Sequence, residues 1–197
     1  MRTLALVFTL TLVGAAVAQD TEKGKIVGSP TAPVRIDVFS DFACPACRIF
    51  HEQTLPMILR DYVQAGKVYV VNREFPLAIE AHKYSRTAAN YAVAAGRLGI
   101  YGPVADALFR DQVSWNASGK VWETVATVLS PEQQKKVQTI AKDPTVAAAV
   151  QKDVDAGMKE RIQSTPTIIL SRGAKKYPIP YPVNYNLFRS LVDGLAK

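Results

Sequence analysis

A chain of 197 residues, 48% hydrophobic and 21% charged, has ordinary globular composition and is long enough for one domain with a sizeable core. Its formal net charge is +7, but the basic residues are scattered, with only short pairs such as Lys135-Lys136 and Lys175-Lys176. Without a basic run interleaved with aromatics, no nucleic-acid partner is expected, and two cysteines are too few for a disulfide-stapled scaffold.

Met1-Arg2 is a short basic start, Leu4 to Val13 is apolar apart from two threonines, and Gly14-Ala15-Ala16-Val17-Ala18 ends in an A-x-A pattern. These three regions in order read as a secretory signal peptide, residues 1–18, cut after Ala18. The apolar run is too short to span a bilayer. No cysteine follows the cut, so no lipid anchor is expected there. The mature chain, 19–197, is then periplasmic or secreted, in an oxidising compartment where dithiols meet disulfides.

Gln19 to Lys25 is polar and expected to be mobile. Gly28-Ser29-Pro30-Thr31-Ala32-Pro33 is turn chemistry leading into an apolar β-type run, Val34 to Phe39. A helix is predicted from about Pro45 to Gln64 on the spacing of Ile49, Phe50, Leu55, Ile58, Leu59 and Tyr62. Pro56 should kink it and Gly66 should close it. Lys67 to Arg73, rich in β-branched residues, is a second strand that Phe75-Pro76-Leu77 ends.

From about Ile79 to Ile162 the pattern is helical only. Ala81 to Leu98 ends at Gly99, and Val104 to Gln112 is a shorter helix. Ser130-Pro131-Glu132-Gln133 is a capping box, and Asp143-Pro144 opens another helix in the same way. Val146, Val150, Val154 and Met158 are expected to form its core-facing stripe. Strands resume at Thr167 to Leu170 and, after the turn Ser171 to Ala174, at Lys176 to Ile179; Pro178, Pro180 and Pro182 argue for an edge position. Asn184 or Asn186 caps a last helix carrying Leu187, Leu191 and Leu195.

Both cysteines stand in Phe39-Ser40-Asp41-Phe42-Ala43-Cys44-Pro45-Ala46-Cys47, between the first strand and the helix after it. This places the first sulfur at a helix N-terminus, where free N–H groups and the helix dipole favour a thiolate, with Pro45 suited to the first turn. Two buried free cysteines would need neither Pro45 nor the strand-to-helix junction. A structural disulfide closing so small a loop would constrain the unfolded chain little. A structural zinc site needs about four ligands, and two Cys and two His are all the chain has. The pair is therefore expected to perform thiol–disulfide exchange, with no organic cofactor or metal. Cys44, Cys47 and His51 fall at i, i+3 and i+7, so a soft-metal module, for Cu(I) for instance, is the alternative outside redox chemistry. His82 reads as a helix-surface residue. Asn116-Ala117-Ser118 matches a glycosylation sequon, a short pattern that recurs by chance.

The order strand, helix, strand, helical block, hairpin, helix is the thioredoxin layout with an insertion after the second strand. Gly28 to Val34, Phe39 to Cys47, Phe50-His51-Glu52, Phe75-Pro76-Leu77 and Ser164-Thr165-Pro166-Thr167 together resemble the DsbA-like branch of the thioredoxin superfamily, as do Ala107-Leu108-Phe109, Trp115 and Gly119. The resemblance implies an α/β, thioredoxin-like fold: a central mixed sheet flanked by helices, with a core at about 25–78 and 163–197 and an all-helical insertion at about 79–162, in a single domain. It implies an exported thiol:disulfide oxidoreductase in which Cys44 attacks and Cys47 resolves, around an active-site loop containing Pro45 and Ala46. It also implies a cis-proline at Pro166 facing the cysteines, with Thr165 offering backbone groups to substrate. Partners would be proteins with thiols or disulfides, and a membrane redox protein that resets the pair. Two positions depart from the family: Ala46 stands where DsbA has a histidine, and Val38 where many members have an acid, Asp37 beside it pointing to the other face of the strand. Loss of the histidine predicts a dithiol oxidase less oxidising than DsbA, with a reductase or isomerase as the alternative.

Overall fold

The computed structural model of the protein describes residues 24–179 and 181–197. The expected signal peptide lies outside them. A five-stranded mixed sheet organises the chain, with strands β1 (Ile26–Val27), β2 (Val34–Ser40), β3 (Val68–Glu74), β4 (Thr167–Arg172) and β5 (Lys175–Ile179) in the order β1-β3-β2-β4-β5. β2 and β3 are parallel and the other pairings are antiparallel. The two central strands alternate in the way a half-covered sheet requires. Val34, Ile36 and Val38 of β2 face a core with Val68 and Val70 of β3, whereas Arg35 and Asp37 point to the other side.

That core is closed by the helix that follows β2, α1, at residues 45–63. Its buried face is Phe50, Leu55, Ile58 and Tyr62. The helix is continuous but contains two wide turns, Phe50–Thr54 and Leu59–Val63, in which the Leu55 N–H reaches Phe50 O and the Gln64 N–H reaches Leu59 O. The distortion expected at Pro56 therefore takes the form of a wide turn just before the proline, which absorbs the missing N–H. Gly66, at φ +68, closes the helix in the left-handed region that glycine adopts without strain. The C-terminal helix α8 (Tyr185–Leu195) completes this layer, capped by Asn184 accepting from the Leu187 N–H. Its buried residues are Phe188 and Val192, whereas Leu187 is exposed.

Between β3 and β4 the described chain is helical, as expected: a short 3-10 turn (Glu80–His82), then α2 (Ser85–Gly96), α3 (Tyr101–Arg110), α4 (Gln112–Ser118), α5 (Val121–Ala126), α6 (Pro131–Ala141) and α7 (Pro144–Lys159). The capping box at Ser130 and the Asp143 cap are both formed. The alanines of α2 let α3 and α7 approach it, and one apolar cluster joins Ala88, Ala92, Leu108, Trp115 and Val150 to Phe42, Ala43, Cys44 and Cys47. The cysteines thus sit where the helical block meets the sheet. No helix among the described residues is long and apolar enough to cross a membrane.

Three expectations need correction. Met158 is exposed: four residues per step is not the helical period, and the buried face of α7 is Val146, Ala149, Val150, Asp153 and Gly157. Gly157 is required there because a Cβ would stand 2.4 Å from the ring of Phe75. Lys25 is buried at 2% exposure, not mobile, because Asp153 supplies an ion-pair partner. Just after Lys25, β1 pairs with β3, an element too short to leave a sequence pattern. The third, His82, belongs to the site.

Candidate active site

Cys44 is the N-cap residue of α1, extended at φ −79 and ψ 120, with Pro45 beginning the first turn. The chain reaches this point because β2 ends at Ser40 and the Cys44 N–H turns back to Asp41 O at 3.0 Å. Gln112, at the start of α4, fixes the loop from outside: its side-chain amide donates to Phe42 O at 2.6 Å and Cys44 O at 3.0 Å. Both cysteines are free. Cys47, one turn in, is fully buried; Cys44, expected as the exposed sulfur, retains 8% exposure and is still the more open of the two. Pro45 is exposed and Ala46 half-buried.

The Thr165–Pro166 bond is cis, as expected, and a second cis bond joins Tyr181 and Pro182. Thr165 O accepts from Cys44 Sγ at 3.3 Å, so the structure brings together the residues that the sequence separates by 121 positions.

The two thiols are driven apart in acidity. Cys44 is lowered from 9.0 to about 5, first because the Cys47 thiol donates to it, then against its own burial by Thr165 and by the backbone N–H groups of Cys47 and Ala46. Cys47 is pushed up by burial and by the hydrogen bond and charge of Cys44. Arg48, a candidate to replace the missing histidine, spends its guanidinium on Glu52 one turn on, at 2.9 Å. The depressed Cys44 pKa stabilises the reduced fold fully above about 9 and loses that contribution as pH falls through about 5. Alkylation of Cys44 by iodoacetamide should accordingly rise with pH through about 5 and be flat near neutrality; a midpoint near 9 would contradict the geometry.

Sequence reasoning missed the residue that braces this loop. Asp41 is buried, and its carboxylate accepts four donors: Ala43 N–H at 2.7 Å, Leu77 N–H at 2.8 Å, His82 Nδ1 at 2.8 Å and the Ser85 hydroxyl. Its own N–H donates to Cys47 Sγ at 3.4 Å. His82 is therefore no surface residue; it is held inward by a carboxylate 41 positions earlier. His51 is likewise engaged, 2.7 Å from Asp106 through Nε2 and tilted against the ring of Phe109 at 4.6 Å. It does not join the cysteines as a ligand, and among the described residues no three His, Cys, Asp or Glu side chains form a group able to hold a metal.

On the sheet just below lies Glu74, fully buried at the end of β3, accepting from the Tyr101 hydroxyl at 2.7 Å. Burial pushes its carboxyl up to about 7 against the pull of Lys25. No local pattern marked it, since it ends a strand of ordinary composition.

Fold and site define a thioredoxin-fold protein with a Cys-x-x-Cys pair at a helix start. The profile of the family described as Thioredoxin matches residues 20–189. Disulfide bond formation protein D of Bacillus subtilis is 30% identical over 169 residues, 80% of this chain and 72% of that protein. The crystal structure of oxidised BdbD from Bacillus subtilis superposes with a TM-score of 0.73 at 24% identity, covering 88% of this chain and 94% of that one. DsbA2 of Pseudomonas aeruginosa gives 0.70 at 21%, covering 87% and 93%. At these identities the two structures speak for the fold alone. The chain belongs to the DsbA-like thiol:disulfide oxidoreductases of the thioredoxin superfamily.

Proposed function

We propose that the protein is exported and donates disulfides to thiol-bearing substrate proteins, as a dithiol oxidase working through Cys44 and Cys47. Cys44 forms the mixed disulfide with substrate, expelling Cys47, and a second substrate thiol releases the substrate disulfide; Cys47 resolves the mixed disulfide that Cys44 forms with the redox partner. The substrate lies extended along Thr165 and Pro166, adding a short β-pairing. A membrane redox partner resets the pair. The observation that carries this reading is Cys44 at a helix N-terminus, its thiolate favoured by the Cys47 thiol, by Thr165 and by the N–H groups of Cys47 and Ala46, since stabilising the reduced form makes the disulfide oxidising. A thiol at about 5 falls between the values of ~3.5 for DsbA and ~7 for thioredoxin. The corresponding potential lies between their ~−120 and ~−270 mV. The basic, apolar and A-x-A regions of residues 1–18 support export, with maturation at Gln19. We read 19–197 as one domain carrying its insertion at about 79–162.

The experiment is equilibration of the pair against a glutathione buffer, with the redox state and N-terminus read on exported material. A potential between the two references, oxidised cysteines in the cell and a chain starting at Gln19 are expected. A potential at or below thioredoxin's with reduced cysteines in the cell favours the reductase, a reading that the Ala46 side chain, with no group to donate to Cys44, would explain.

A further inference from the structure

Resolution by Cys47 requires its proton to go somewhere, and its immediate surroundings accept none. Cys47 is fully buried and its thiol is pushed up by burial and by Cys44. The helix-facing side of β2 presents Val34, Ile36, Val38 and Ser40, none of them an acid. Asp41 is close, but its carboxylate already accepts four donors, two on each oxygen, and only its N–H turns to the sulfur.

A polar route leads the other way. Ser40, the last residue of β2, lies close enough to Cys47 to favour its thiolate. Ser40 is the register partner of Glu74 across the parallel β2–β3 pair, and the Phe75 N–H binds Ser40 O at 2.8 Å, so the two side chains share the helix-facing side of the sheet. Between Ser40 and Tyr101 lies a cavity of about 20 Å³, also lined by Phe50, His51, Asn72 and Phe109. That is room for one water, with polar neighbours to hold it. On its far side the Tyr101 hydroxyl donates to Glu74 at 2.7 Å.

We propose that Glu74 is the proton store of the resolving cysteine, reached from Cys47 through Ser40, one water in this cavity and the Tyr101 hydroxyl. The proposal rests on the assignment of Cys47 as the resolving thiol. When a substrate thiolate attacks Cys44, the Cys44–Cys47 bond breaks and a substrate–Cys44 disulfide forms. The substrate sulfur is oxidised, Cys47 is reduced, and its thiolate takes the proton from Glu74. A second substrate thiolate then attacks the substrate sulfur of the mixed disulfide, which forms the substrate disulfide and releases Cys44 as a thiolate. When the redox partner recharges the pair, the Cys44 thiolate attacks the partner's disulfide and releases one partner thiolate; Cys47 then returns its proton to Glu74 and attacks Cys44, the Cys44–Cys47 bond re-forms, and the second partner thiolate leaves. Each half-cycle moves one proton between Cys47 and Glu74. The groups facing Glu74 set its affinity. Lys25 before β1 favours the carboxylate; Asp153 of α7 and Asp41 after β2 oppose it; Tyr101 of α3 donates to it. With its carboxyl near 7, Glu74 exchanges protons at the pH where the enzyme works.

The test is stopped-flow reaction of the reduced protein with Ellman's reagent. Cys44 releases the first nitrothiobenzoate in a bimolecular phase, and Cys47 the second in a unimolecular one. In the wild type the second phase should quicken as pH rises through about 7, because the carboxylate is the base. Glu74→Gln should slow it tenfold or more at pH 7 and remove that dependence, with the first phase changed less than twofold. Tyr101→Phe, which keeps the ring and cuts the route, should slow the same phase and serves if Glu74→Gln does not fold. A second phase unchanged within twofold in both variants, or equal slowing of both phases, overturns the proposal while leaving the cysteine assignment intact. If the wild type gives only one phase, or if Cys44→Ser keeps the fast bimolecular phase while Cys47→Ser loses it, the cysteine assignment falls and this proposal with it.

Discussion

Cys47→Ser protein is expected to accumulate covalent mixed disulfides through Cys44, and Cys44→Ser protein to accumulate none and lose thiol–disulfide exchange altogether. The asymmetry follows from placement within one turn of helix. Cys44 caps α1 and keeps some solvent contact, and the Cys47 thiol and the first N–H groups of the helix lower its thiol to about 5, so it is a thiolate at neutral pH. Cys47 is fully buried, beneath the Asp41 N–H, and held as a thiol. An ordinary cysteine near pKa 8.5 is only a few per cent thiolate at pH 7, so ionisation alone favours Cys44 by about thirtyfold. A low-pKa thiolate is a weaker nucleophile, which returns part of that advantage. The burial of Cys47 more than restores it, and labelling at Cys44 should lead by a hundredfold or so at pH 7. The serine at 47 can still donate to the Cys44 thiolate, so trapping survives the substitution. Mass spectrometry of iodoacetamide-labelled reduced protein checks the order: label arriving first on Cys47 reverses the roles.

What the sequence disclosed was what is encoded over a few residues. The β2 alternation, the Cys-Pro-Ala-Cys junction, the Ser130 capping box and the proline that confines β5 to the sheet edge each act locally, and each is found where it was expected. Thr165 facing Cys44 and the cis bond to Pro166 were reached only through the family resemblance, since no local rule joins positions 121 apart. The buried charges were invisible for the same reason. Lys25 reads as a polar leader until Asp153, 128 positions later, meets it. His82 reads as solvent-facing until Asp41 accepts its ring nitrogen. Met158 was misplaced by a different route: stepping by four drifts around a helix of 3.6 residues per turn, and by the third step the side chain has left the core. The wide turns of α1 leave no signal beyond Pro56 itself.

Asp41→Ala is expected to be among the most destabilising substitutions in the molecule, costing about 3–5 kcal/mol, as the loss of one partner from a buried ionic cluster does. The carboxylate is fully enclosed and joins four separate pieces of chain: the loop into α1 through Ala43, the end of β3 through Leu77, the 3-10 turn through His82 and the start of α2 through Ser85. Removing it strands the buried Ser85 hydroxyl and two backbone N–H groups, and each unsatisfied donor costs about 1–3 kcal/mol. Against a typical total of about 5–15 kcal/mol this is a large share. In a chain of this length it lowers the melting temperature by about 10 °C. Asp41→Asn keeps the shape but brings an amide nitrogen against donors, because both oxygens face an N–H, and should cost about half as much. Ser85→Ala removes one donor but leaves Asp41 Oδ1 the Ala43 N–H, and should cost about 1 kcal/mol. Because these groups share one carboxylate, the double variant Asp41→Ala/Ser85→Ala should lose less than the sum of its parts. Thermal melts of the reduced proteins decide the matter: an Asp41→Ala protein melting within a degree or two of the wild type would mean that the loop is held by Gln112 and the helix alone.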